Sequence, residues 1–185
     1  MAAVVDLTQA QLFSGVEQFL LNFSTPALAD DGLHVIPGNA NDQSLPADGG
    51  DFCIYTPIFM GRRGTNVEEW QKAPSDAVNY SEYVETVWQI DCFSQSMVNA
   101  QQMAQTFELI ARSEAGVNFF KPLHIDCLFA ENLRNLSLIV DSKKYVARWC
   151  FELHLGFRKQ VQVPFHYFTS VDANVVNVDV KFPPV

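Results

Sequence analysis

The sequence predicts an α+β domain: an antiparallel sheet with two main helices packed on one face. Three observations predict it. Two segments carry apolar residues at helical spacing, and at least four others alternate apolar and polar residues with period two. Hydrophobic residues make up 48% of the chain against 18% charged, enough to build a core. At 185 residues, one domain spanning residues 1–185 is expected.

The elements follow in chain order. Thr8 and Gln11 read as a capping box ahead of the stripe Leu12, Val16, Phe19, Leu20 and Phe23, so a helix is expected near 8–23. Ser24-Thr25-Pro26 ends it, because proline disfavours helix at the residue before it. Residues 33–36 form a short strand candidate, followed by a polar loop over 37–50 and a strand over 52–60. Pro57 argues for an edge or a bulge there. Residues 61–79 form a long polar segment, read as an extended loop or hairpin arm. In the strand 83–93, Val84, Thr86, Trp88, Ile90 and Cys92 share one face, while Glu85, Gln89 and Asp91 share the other.

Ser94 or Ser96 then caps a helix near 96–114 with the stripe Ala100, Met103, Ala104, Phe107, Ile110 and Ala111. Gly116 is expected to end it, and 119–122 to be a connector. Residues 123–129 and 136–140 are further strand candidates. The strand 145–157 is long, so it belongs in the middle of the sheet or extends past it. One face carries Tyr145, Ala147, Trp149, Phe151, Leu153, Leu155 and Phe157; the other carries Arg148, Cys150, Glu152 and His154. Residues 165–185 are a C-terminal extension in which Val176, Val178, Val180 and Phe182 alternate with polar residues, as an edge-adding or intersubunit strand would.

Charge narrows the function. Net charge is −9, which disfavours a protein that coats nucleic acid. No Lys or Arg precedes Arg62, and the seven acids before it give residues 1–61 a charge of −7. No apolar run approaches the ~18 residues of a membrane span, so no membrane partner is expected. The N-terminus lacks the basic region of a secretory signal. The four cysteines, at 53, 92, 127 and 150, form no C-x-x-C pair and read as buried free thiols of a reducing compartment.

Signatures of enzymes are missing: no phosphate-binding glycine loop, nucleophile elbow, zinc-protease motif or dinucleotide fingerprint occurs. His124, Asp126 and Cys127 have suitable chemistry, but a strand would turn Cys127 away from the other two. Cys150, Glu152 and His154 do share a strand face, yet no fourth metal ligand is visible. No catalytic residue, cofactor or metal is therefore assigned. Arg62 and Arg63, set between glycines, fit a loop tip or an acidic groove on another subunit.

One pattern is informative. Residues 87–93, Val-Trp-Gln-Ile-Asp-Cys-Phe, lead into an Ala-rich helix carrying Ala100 and Ala104. Arg134-Asn135-Leu136 and a strand with Tyr145 and Arg148 follow. This resembles the tail terminator, or neck, proteins of tailed bacteriophages over roughly residues 5–165. The resemblance does not account for 61–79 or for the tail after Pro164, which leaves room for a lineage-specific role. It implies a structural virion protein that is not an enzyme. It further implies a homo-oligomeric ring, commonly a hexamer, that caps the tail tube and joins it to the head-side connector, with the sheath as a further candidate partner. Localisation would be the virion neck, and the host cytoplasm during assembly. DNA would pass through the lumen without sticking, and Asp30, Asp31, Asp42, Asp48 and Asp51 are the candidate lumen or rim acids. Arg62, Arg63, Val176, Val178, Val180 and Phe182 are the candidate interface. A head-completion or stopper ring, and a small cytosolic enzyme using His or Cys, stand as alternatives.

Overall fold

The computed structural model describes residues 4–5, 8–24, 34–38, 50–71, 77–140 and 144–164. These form an open α+β sheet with its main helices on one face. The strands are β1 (Val4–Val5), β2 (Val35–Pro37), β3 (Phe52–Gln71), β4 (Ala77–Ser94), β5 (Ile125–Ala130), β6 (Arg134–Asn135), β7 (Leu138–Val140) and β8 (Lys144–Pro164). The helices are α1 (Gln9–Asn22), α2 (Met97–Ala111) and α3 (Glu114–Phe120).

β8 is the spine of the sheet, as its long alternation predicts. One edge of it pairs antiparallel with β4 from Ala147 to Pro164. The other edge is tiled in turn by β7, β6, β5 and β1, all antiparallel. β3 lies beyond β4, and β2 pairs with β3 in parallel. The sheet is therefore mixed, a correction to the all-antiparallel expectation. The chain from residue 38 to 51 is long enough to bring β3 back to run beside β2 in the same direction.

α1 begins at the expected capping box. Thr8 Oγ1 accepts the Gln11 N–H at 3.3 Å, and the Thr8 N–H donates to Gln11 Oε1 at 2.7 Å. Its stripe of Leu12, Val16, Phe19 and Leu20 is buried against the sheet. Ser96 caps α2 by accepting the Asn99 N–H at 3.4 Å, while Ser94 supports the turn by accepting the Ser96 N–H at 2.9 Å. Ala100, Met103, Ala104, Phe107 and Ala111 form its buried face, as the spacing requires.

Gly116 does not end this helix. α2 stops at Ala111, Ser113 caps a new helix, and Gly116 lies inside α3. A Cβ on Gly116 would meet the Ile110 carbonyl oxygen at 2.5 Å, so glycine is what lets α3 cross the end of α2 this closely. Phe119 and Phe120 are accordingly helical rather than a connector. They complete an aromatic cluster in which the Phe19 ring stacks on Phe120 at 5.1 Å and meets Phe119 at 5.7 Å and Phe107 at 6.5 Å. Much of the aromatic load is thus absorbed in the subunit's own core.

The core lies between the helices and one sheet face. From β4 it takes Val84, Trp88, Ile90 and Cys92; from β8, Phe151, Leu153, Leu155 and Phe157; from β3, Cys53 and Tyr55. Trp149 packs against its margin. All four cysteines are free, as expected, although Cys127 is only half-buried.

Candidate functional site

Two features stand apart from the core. The first is the arm. Residues 61–79, read as a polar loop or arm, belong to a long hairpin: β3 continues to Gln71 and β4 starts at Ala77. Register shifts fall between Pro57 and Phe59 and between Arg63 and Val67. The first is the bulge that Pro57 foretells, since proline has no N–H for the ladder. Beyond β2 the outer edge of β3 has no partner among the described residues, while β8 flanks β4 out to Pro164. The arm is therefore a ribbon of three strands, joined by β1 as a fourth at Val161 and Gln162, and is stiffer than a lone hairpin. It is also apolar at its surface: Ile58, Phe59, Met60, Val67 and Trp70 are 47%, 54%, 50%, 49% and 54% exposed. Phe59 and Val67 pair with Val87 and Ser81, and Met60 and Trp70 with Thr86 and Val78, so exposed apolar side chains stand on both faces of the ribbon, which suits an interaction surface.

Arg62 and Arg63 lie on this arm and both are exposed. Arg63 has a partner in its own chain, because its Nε donates to Glu85 Oε2. Asp51 is half-buried just ahead of β3 and accepts a hydrogen bond from Asn99 Nδ2 at 3.4 Å, which ties it to the first turn of α2. Asp30, Asp31, Asp42, Asp48, Val176, Val178, Val180 and Phe182 lie outside the described residues.

The second feature is the sheet face opposite the helices, where charged side chains lie flat over the strands. Arg148 Nε donates to Asp91 Oδ1 at 2.9 Å, Gln89 Nε2 donates to Asp91 Oδ2 at 2.8 Å, and Arg148 sits over the Phe93 ring at 5.5 Å. Phe93 in turn stacks on Phe52 at 4.7 Å. Arg134 pairs with Glu152, and Glu85 binds both Arg63 and His154 Nδ1, the latter at 2.9 Å. This covering explains why Glu85 and Asp91 are buried although the alternation puts them on the polar face. Tyr83 also lies across this face. A Cβ on Gly156 would fall 2.0 Å from the Tyr83 hydroxyl, so glycine leaves the ring its place. That hydroxyl donates to Asp126 Oδ2 at 2.8 Å; burial first, and Asp126 second, push its pKa up to about 12.

The triplet at 124–127 is not assembled for catalysis. His124 holds a left-handed backbone at φ 57°. Asp126 is engaged by Tyr83, and Cys127 Sγ is turned to the Ala111 carbonyl at 3.2 Å. Burial pushes the Cys127 thiol up to about 11, so it stays protonated near neutrality.

Glu85 gives a pH prediction. Its hydrogen bond to His154, followed by Arg63, outweighs burial and holds its carboxyl below the ordinary 4.5. The unfolded chain then binds the proton more readily than the folded one. The stabilisation is complete above pH 4.5 and is lost as pH falls through the lower folded value. Glu85→Gln is expected to flatten the acid limb of a stability-versus-pH curve measured by urea unfolding. An unchanged slope below pH 4.5 would mean that other carboxylates carry it.

The family of phage neck terminator proteins matches residues 10–184. The match runs through 61–79 and the tail after Pro164, so neither is foreign to the family, a correction to the narrower extent read from the sequence. No curated protein matches the chain. A solved protein without a descriptive name aligns over 88% of this chain and 100% of its own length, at 14% identity and a TM-score of 0.39, too weak a likeness to carry an argument. Matched over nearly its whole length, this chain belongs to the phage neck terminator protein family.

Proposed function

We propose that the protein assembles as a ring, a hexamer in the simplest form, that caps the tail tube and joins it to the head-side connector while DNA passes through its lumen. Family membership gives the structural role in the phage neck. The observation that carries the ring is the arm: a stiff ribbon presenting Ile58, Phe59, Met60, Val67 and Trp70 to solvent is suited to lie on a neighbouring subunit. Arg62, exposed beside these residues, would meet an acidic rim there. The test is a phage lacking this protein. Lysates should contain separate heads and tails with unfinished tail ends. Normally joined virions would refute the role.

The tail 165–185 is assigned to the same interface. Deleting residues 173–185 should leave a folded subunit with impaired ring formation, read by circular dichroism and light scattering. An insoluble or unfolded product would instead place Val176, Val178, Val180 and Phe182 in the subunit's own core.

The acidic first third suits a channel for DNA. A cation facing phosphate adds counterion-release affinity, and carboxylates near the bore repel instead. Because the Debye length is about 8 Å in physiological salt, only acids close to the bore would matter. Changing three of Asp30, Asp31, Asp42 and Asp48 to lysine should slow genome ejection while assembly stays normal. Unchanged ejection kinetics at low salt would return these acids to a role in solubility.

A further inference from the structure

We propose that His154, Glu131 and Glu152 form a binding site for a divalent transition-metal ion, with zinc as the best fit. His154 and Glu152 are two residues apart on β8 and so share a face. Glu131 follows β5 and is brought beside them where its N–H donates to the Glu152 carbonyl at 2.8 Å. One ligand atom from each of the three residues lies within 4.8 Å of the other two.

The state of His154 points to a ligand. Its ring is clamped by Phe129, stacked at 3.9 Å and 17°. Nδ1 lies 2.9 Å from Glu85 Oε1. Glu85 is ionised and offers only acceptors, so Nδ1 carries a hydrogen on that side and Nε2 is the ring nitrogen left for a ligand. Nε2 is enclosed, yet it has no hydrogen-bond partner among the described residues. Its nearest carboxylate oxygen, Glu131 Oε1, is 3.7 Å away, beyond hydrogen-bond range. A carboxylate that orients a histidine whose other nitrogen faces two more carboxylates is the arrangement that supports zinc ligands.

The distances allow closure. Zinc–ligand bonds of about 2.0–2.2 Å place tetrahedral ligands about 3.3–3.6 Å apart. Glu131, with a side chain 45% exposed, has the freedom to move in. Glu152 has a second oxygen to offer while Arg134 holds Oε1. The fourth position would go to water. An ion here would tie the turn after β5 to β8. Cys150, two residues before Glu152, is not part of the cluster.

The test is calorimetric titration of the full chain with zinc chloride alone, with cobalt(II) as a spectroscopic probe. One ion per subunit is expected. His154→Gln and Glu131→Gln should each weaken binding at least tenfold, and Cys150→Ser should leave it unchanged. Because Glu131 is exposed, its variant tests the site even if His154→Gln fails to fold. The cobalt spectrum should show nitrogen and oxygen ligation without a thiolate charge-transfer band. Absence of saturable binding, equal binding by the Glu131 variant, or a thiolate band would overturn the proposal.

Discussion

Replacing Phe107 by alanine is expected to destabilise the subunit by about 3–5 kcal/mol, the range for emptying a buried phenylalanine site. Phe107 is fully buried on α2, meets the Phe19 ring at 6.5 Å, and lies in the layer that joins both helices to the sheet. The neighbours cannot collapse easily, because α1 and α2 are each held by a cap at one end and by the sheet along one face. For a chain of this size, each kcal/mol lowers the melting temperature by about 2–4 °C, so a drop of roughly 6–20 °C should appear by calorimetry. A loss below about 1 kcal/mol would mean that this side chain is not the keystone its burial indicates.

The arm gives the second large effect, on assembly rather than folding. Changing Phe59, Met60 and Val67 together to serine should leave the fold intact, because all three are about half exposed and lie outside the core. Surface changes of this kind usually cost within about 0.5 kcal/mol each. If the arm lies on the next subunit, each apolar anchor lost costs roughly 1–2 kcal/mol of association, and each 1.4 kcal/mol is tenfold in affinity. Together they should weaken subunit association by at least a hundredfold in sedimentation equilibrium. Association equal to that of the parent chain would remove the arm from the interface.

Elements stabilised by their own sequence were the legible ones. The capping box of α1 needs only Thr8 and Gln11, three residues apart, and the long alternation of β8 needs only one residue after another. Pro57 announces its bulge for a similarly local reason. The full length of β3 was hidden because residues 62–70 are exposed whichever way they point, so no alternation between core and water marks the strand. The parallel pairing of β2 was hidden because direction depends on where the chain returns, which three residues do not record.

The polar face shows the same limit at the level of a site. Cys150, Glu152 and His154 are visible from strand periodicity alone. Glu85 lies 69 residues from His154 and reaches it only because β4 and β8 pair in the register Glu85↔Gly156 and Val87↔His154. Glu131 arrives through the register of β5, where Phe129 faces His154. Register thus replaces Cys150 by Glu131 as the third member of the cluster, a choice no local spacing encodes.

The ring itself is tested most directly by a cryo-electron-microscopy reconstruction of the neck in intact virions. The predicted result is a ring of subunits of this fold between the tail tube and the head-side connector, open along the DNA path, with Phe59 and Val67, which share a face of each arm, buried against the adjacent subunit. A neck in which this protein is a single copy, or in which its arms face solvent and its subunits do not touch, would contradict it.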